Sequence, residues 1–168
     1  MTWRGRTDMQ HRLVSCLPYL LPLMKVQALG APLFALVPFL SYLYLPLLPF
    51  IYVYSLLSNM VPLVPFDFIV FFGLFLGVVR NEKLIHFLRF HTMQALLFGI
   101  FASLCIIVLR MAGLLTLGIA SPPLAIAVLF SIIFLAVVAA SIFSIVQALR
   151  GLYAEIPMIS EAAYAQTR

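Results

Sequence analysis

The side chains of this sequence that could do chemistry crowd into one stretch, Arg80-Asn-Glu-Lys-Leu-Ile-His-Phe-Leu-Arg-Phe-His-Thr-Met-Gln-Ala95. Two imidazoles, a carboxylate, two amides and three cations could bind a metal, move protons or hold a partner. Zinc is argued against by spacing: His86 and His91 are five apart, not the i, i+4 that puts two imidazoles on one helical face. An intramembrane protease would need two carboxylates within spans, or His-Glu-x-x-His, and neither pattern occurs. No Gly-rich phosphate loop is present, and no serine has a histidine or lysine base at an evident matching depth. A proton-coupled carrier needs an ionisable group well inside the membrane, and only Asp67 comes near, at the edge of an apolar run. The reading is therefore a non-enzyme with no cofactor and no metal site.

What this stretch can do is touch something. Wound as a helix with about 100° between side chains, it gathers Glu82, His86 and Arg89 on one face and Leu84, Phe87 and Leu88 on the other. That pattern suits an amphipathic connector lying at a membrane surface. Arg80, Lys83, His86, Arg89, His91 and Gln94 become the candidate contacts to a partner or passenger chain, with headgroup anchoring as the plainer use of the same residues.

The elements that position the connector are membrane spans. At 65% hydrophobic and 9% charged, with a mean hydropathy of +1.17, the chain is far more apolar than a soluble domain, where about 25% of residues are charged. The 168 residues form one all-α membrane-embedded unit and leave no room for a soluble domain. Residues 13–24 are apolar but carry Pro18 and Pro22 and stop at Lys25. That is shorter than the roughly 17 residues a crossing needs, so an interfacial helix is predicted there. Four spans follow at about 32–54, 64–79, 92–110 and 124–149, the first bent by Pro32, Pro38, Pro46 and Pro49. A turn at Ser58, Asn59, Pro62 and Pro65 precedes the second, and a loop through Gly118, Ser121 and Pro122 precedes the fourth. The tail from Gly151 reads as mixed and soluble.

Charge fixes the topology of this reading. Of ten Lys and Arg residues, nine fall on one side (Arg4, Arg6, Arg12, Lys25, Arg80, Lys83, Arg89, Arg150 and Arg168) and Arg110 on the other. The positive-inside rule then sets both termini and the connector on the cytoplasmic side or its organellar equivalent. The net charge of +5 is thereby a topology signal and implies no nucleic acid. Cys16 and Cys105 stand apart in apolar surroundings and suit neither a metal site nor a disulfide. Gly73 and Gly77 in the second span, and Ala136, Ala140 and Ser144 in the fourth, have the small-xxx-small spacing that lets helices approach closely. Packing within the chain is the commoner use of such spacing, and pairing with a second copy is the other.

Four stretches carry a resemblance: Leu17-Pro-Tyr-Leu-Leu-Pro-Leu23, Val79-Arg-Asn81, Arg89-Phe-His-Thr-Met-Gln-Ala95 and Ile156-Pro-Met-Ile-Ser-Glu-Ala-Ala163. In this order they resemble the successive signatures of the Tic20 family across nearly the whole chain. His91 departs from the pattern, which more often has Asn there. The opening Met1-Thr-Trp-Arg-Gly5 resembles short cyanobacterial members without a leader. The resemblance implies a four-span component of the protein-import translocon of the chloroplast inner envelope, or its counterpart in a cyanobacterial membrane, with both termini facing the stroma. Expected partners are the lipid bilayer, other membrane subunits of a translocon, a translocating polypeptide, and a second copy of the chain. The rival reading is a small transporter or pore from a related family of bacterial membrane proteins that shares Arg-Phe-His-x-x-Gln-Ala; it would need Asp67 in a water-filled interior.

Overall fold

The computed structural model describes residues 8–60, 66–117, 123–157 and 159–167. The expected turn prolines Pro62 and Pro65, the loop residues Gly118, Ser121 and Pro122, the opening five residues, Met158 and Arg168 lie outside them. Every regular element among the described residues is helical. Helices Met9–Leu36, Phe39–Met60, His86–Met111 and Leu124–Leu149 are each long and apolar enough to cross a membrane, and Phe66–Val79 is a shorter apolar helix.

The first helix corrects the reading of residues 13–24. It runs through α1 (Met9–Cys16), a 3-10 turn at Leu17–Tyr19, α2 (Leu20–Val26), a second turn at Gln27–Gly30, and α3 (Ala31–Leu36). Its 28 residues make a rod of about 42 Å, long enough for a hydrocarbon core of about 30 Å. The prolines are absorbed where they do least harm. Pro18 and Pro32 sit in the first positions of their pieces, where no helical N–H is missed. Lys25 does not end the helix, because its ammonium is met by Asp67 at 3.5 Å and by the Ser103 hydroxyl at 3.0 Å.

The expected span 32–54 is divided instead. Val37 leaves the helical region (φ −130°, ψ 82°), as a residue before proline prefers, and the chain folds back at Pro38. Helices α4 (Phe39–Tyr42) and α5 (Leu48–Met60) then rest on the bundle through few contacts; Tyr44 packs on Phe34 and Phe134, and its hydroxyl donates to the Leu23 carbonyl at 3.4 Å. Helix α6 (Phe66–Leu74) ends in a π-helical turn, Phe75–Val79, closed by Arg80 N–H to the Phe75 carbonyl at 2.9 Å.

Residues 80–85 are a turn and not the expected helix. Asn81 makes it, its side chain accepting from Lys83 N–H (3.1 Å) and its carbonyl from Leu84 N–H (3.1 Å). Helix α7 (His86–Met111) starts two turns before the expected span, and α8 (Leu124–Leu149) lies where the apolar run placed it. Gly113 and Gly151 follow α7 and α8 with φ of 71° and 73°, the left-handed conformation that closes a helix at little cost only for glycine.

Cross-chain contacts set the ends of these helices side by side. The start of the first helix lies by the end of α8, with Cys16 Sγ 3.9 Å from the Ile145 carbonyl. Val79 lies by the start of α7, with Arg89 Nε–H donating to its carbonyl at 2.7 Å. At this near end the tail is docked, against the expectation of a soluble tail: α9 (Ile159–Thr167) buries Ala163 among Val79, Phe90, Met93 and Leu96. The far half has its own core, in which Val26, Leu29 and Tyr44 meet Ala102, Phe130 and Phe134.

Candidate functional site

At the near end, three elements distant in sequence meet on one buried set of polar atoms. The Tyr19 hydroxyl, from the first helix, lies 2.9 Å from His91 Nδ1 and 2.9 Å from Gln94 Oε1. Gln94 Nε2 donates to the Ala154 carbonyl at 2.9 Å, and His91 Nε2 lies 3.2 Å from the Leu152 carbonyl. Tyr19, His91 and Gln94 are each 0% exposed, so every bond here replaces water that cannot enter.

Local sequence puts each group in place. Pro18 tightens the helix into the 3-10 turn that carries Tyr19. His91 and Gln94 are three apart on α7, hence on one face. The α8 terminus supplies the carbonyls: Leu152 N–H bonds to the Gln147 carbonyl and Gly151 N–H to the Ala148 carbonyl, both at 2.9 Å. This is the paired closure made with glycine in the left-handed region, and it turns the chain so that Leu152 and Ala154 face α7. Aromatic rings wall the knot, with Phe87 4.5 Å and Phe90 5.4 Å from the His91 ring.

The hydrogens of the knot do not balance. A neutral imidazole has one N–H and a tyrosine one O–H. With the imidazole hydrogen on Nε2 facing Leu152, the tyrosine hydrogen has two acceptors, His91 Nδ1 and Gln94 Oε1, and can satisfy one. The arrangement binds helices together, and all three side chains are closed off from solvent.

The candidate contact residues therefore divide. Arg80 and Lys83 are exposed in the turn. His86 is exposed at the start of α7, with Nδ1 3.2 Å from the Tyr153 hydroxyl and Nε2 3.4 Å from Thr167 Oγ1. Arg89 is half-buried on the Val79 carbonyl. His91 and Gln94 are inside, so the polar face expected to meet partners is instead partly consumed by the knot. The small-residue pairs divide too. A Cβ added at Gly73 or Gly77 would meet nothing within 4 Å, so those glycines do not serve packing within the chain. Ala140 packs against the cluster of Tyr19, Ala95 and Phe98, Ser144 is buried, and Ala136 is exposed.

A second polar group was not legible from sequence. Lys25 joins Asp67 and Ser103, and Asp67 also accepts a short hydrogen bond from the Tyr54 hydroxyl. It ties the first helix, α5, α6 and α7 together nearly five turns down α7 from its start.

With this geometry in view, the comparisons with known proteins decide the family. Residues 4–163 match the family described as "Chloroplast import apparatus Tic20-like". The chain belongs to the Tic20 family. A "Tic20 family protein" of Synechocystis sp. is 38% identical over 173 residues, covering 100% of this chain and 99% of that protein. "Protein TIC 20-II, chloroplastic" of Arabidopsis thaliana is 33% identical over 105 residues, 62% of this chain and 47% of its own length. "Protein TIC 20-I, chloroplastic" of the same plant is 30% identical over 163 residues, 92% of this chain and 53% of its own length. The chain thus spans about half the length of the plant relatives.

The four stretches that carry the Tic20 resemblance converge at the near end. Tyr19 comes from the first, Val79 from the second, Arg89, His91 and Gln94 from the third, and Ile156 and Ile159 of the fourth pack against Tyr19, Ala95 and Phe98. Tyr19 was the missed site residue. Its signal was available: a tyrosine in an apolar run needs a partner for its hydroxyl once buried.

Proposed function

We propose that this Tic20 protein is a non-enzymatic, multi-pass subunit of a protein-translocation complex, with its near end on the cytoplasmic or stromal side. The observation that carries this reading is the division of the third motif. His91 and Gln94 fasten the helices from inside, while Arg80 and Lys83 stand exposed on a turn held by Asn81. An exposed turn carrying two cations suits docking to another membrane subunit, a translocating polypeptide or a second copy of the chain, all of which this proposal admits as partners. The names of the relatives, which speak of chloroplast import, support the same role. Orientation rests on charge: Arg12, Arg80, Lys83, Arg89 and Arg150 are near-end residues and Arg110 lies at the far end of α7, which under the positive-inside rule faces the near end inward.

The test is affinity purification in mild detergent of the wild type and of the Arg80→Glu/Lys83→Glu protein, at equal membrane abundance. The expected result is loss of a co-purifying membrane subunit from the variant. Unchanged recovery of every partner defeats the docking role of the turn. Depletion tests the wider role: unprocessed precursor proteins are expected, and altered small-molecule content with targeting intact would favour a transporter. One observation favours that second reading, the Lys25–Asp67 pair within the span depth, where ionisable residues commonly serve transport. Solute flux in proteoliposomes that Asp67→Asn abolishes would establish it.

A further inference from the structure

Between the first half of helix Met9–Leu36 and the segment Phe66–Val79 lies an open cleft of about 310 Å³. Its two walls run antiparallel, with Val14, Leu17 and Leu21 opposite Val78, Leu74 and Val70, and Thr92 of α7 behind them. The lining ends at Leu21 and Val70, and one turn beyond them stand Lys25 and Asp67, 3.5 Å apart. From Val14 to Lys25 the helix rises about 16 Å, close to half of a hydrocarbon core of about 30 Å. The cleft therefore opens at one membrane interface and ends near the midplane, the depth of a single leaflet.

Its mouth and walls follow a chemical order. Arg80 is exposed two residues past Val78, and Arg89 stands beside Leu88 with one of its donors on the Val79 carbonyl at 2.7 Å. One turn before Val14, His11 holds its Nδ1 buried without a hydrogen-bond partner, and the Thr92 hydroxyl is likewise buried without one. Thr92 is 0% exposed and lines the cleft from behind. Below it only aliphatic groups line the walls. Cations, then a neutral donor, then hydrocarbon is the order that the headgroup, ester carbonyl and acyl chain of a glycerolipid would meet.

We propose that the cleft is a binding site for one acyl chain of an anionic glycerolipid from the near-end leaflet, its headgroup on the Arg80 and Arg89 side and its ester carbonyl within reach of Thr92. Such a lipid would fill the seam between the first helix and the Phe66–Val79 segment. It would couple the exposed turn to the charge of the membrane.

The experiment uses the full-length protein in phosphatidylcholine vesicles doped with phosphatidylglycerol or phosphatidylcholine spin-labelled on the acyl chain. The readout is the motionally restricted fraction in the electron paramagnetic resonance spectrum. Preference for phosphatidylglycerol is expected, falling about fivefold in Arg80→Gln, the factor set by one basic residue at an anionic surface. Leu17→Trp should fill the cleft and abolish the preference, while Leu13→Trp, on an exposed position outside the lining, should not. Leu74→Trp approaches from the opposite wall and serves if Leu17→Trp fails to fold. Equal restricted fractions for the two lipids, or a preference that survives a folded cleft-filling variant, would overturn the proposal. The measurement needs no partner protein, so its failure leaves the translocon reading standing.

Discussion

Tyr19→Phe deletes one oxygen from the centre of the knot and leaves the ring in place, between Phe98 and His91 at centroid separations of 6.0 Å each. That oxygen lies 2.9 Å from both His91 Nδ1 and Gln94 Oε1, which suggests a loss of two hydrogen bonds. Proton counting halves it. With a neutral His91 bonded through Nε2–H to Leu152, the single tyrosine hydrogen serves one acceptor at a time, so the substitution removes one net bond. The expected cost is about 1 kcal/mol, within the span of about 0.6 to 1.7 kcal/mol found for bonds between membrane helices. Tyr19→Ala removes the packed ring as well and should cost about 3–5 kcal/mol.

Asparagine at position 91 changes the count. Its amide N–H₂ takes the place of Nδ1 and donates to the tyrosine oxygen, which frees the tyrosine hydrogen for Gln94. In a His91→Asn background Tyr19→Phe then breaks two bonds and should cost about 2 kcal/mol. The assay is reversible unfolding in mixed micelles by rising dodecyl sulfate fraction, followed by far-ultraviolet circular dichroism, for the four proteins of this cycle. The reasoning predicts a coupling of about 1 kcal/mol, with the greater loss in the His91→Asn background. Equal costs of Tyr19→Phe in the two backgrounds would refute the proton count, and a cost as large as that of Tyr19→Ala would refute the knot as a hydrogen-bond device.

Gly30→Ala should lower stability by about 1–3 kcal/mol through overpacking, because its Cβ would lie 2.7 Å from the Phe134 ring and 2.8 Å from Phe34; Phe134→Leu should restore part of the loss in the same unfolding assay. Gly73→Ala meets open space and should stabilise the isolated chain by up to about 1 kcal/mol, whereas a fall in partner recovery on purification would mark Gly73 as a contact to another helix. Cysteines at Thr7, Lys83 and Gln166, in a chain lacking Cys16 and Cys105, should react with an impermeant thiol reagent from one face of the membrane and a cysteine at Arg110 from the other; opposite labelling of Thr7 and Lys83 would refute the shared near end. Lys25→Met and Asp67→Leu should each destabilise more than the double variant, since each leaves a charge without its partner; additive losses would show the pair to be incidental.

Legibility followed sequence distance. Helix α8 could be read to the residue, because 26 residues without proline or charge, apolar but for three serines and a glutamine, permit little else. The first helix could not. Lys25 looked like a boundary because its neutralising partners lie 42 and 78 residues away, at Asp67 and Ser103. His91 and Gln94 were read as surface groups for the same reason: the atoms that satisfy them, on Tyr19 and on the carbonyls of Leu152 and Ala154, come from the opposite ends of the chain. The four family stretches were visible in order, but their convergence was not, since nothing in the spacing of 17, 79, 89 and 156 says that they touch. The turn at 80–85 was mistaken for helix because its apolar and polar residues happen to fit a 3.6-residue period, whereas Asn81 can bond its own following backbone and end the helix.

Arg89 illustrates why motif position alone is a poor guide to where partners bind. The π-helical turn gives the segment Phe75–Val79 an i→i−5 closure at Arg80, and the chain then turns away, so the Val79 carbonyl is left without the N–H that a continuing helix would supply. Arg89 reaches across from α7 and donates to it at 2.7 Å. A cation on the last carbonyls of a helix also meets the negative end of the helix dipole. Reversing its charge would set a carboxylate against a carbonyl and that same negative end, undoing the joint between α6 and α7 whether or not any partner touches Arg89. A lost partner after Arg89→Glu would therefore report on the fold. Arg80 and Lys83, exposed on the turn, carry charge without that joint, and it is through them that docking can be separated from folding.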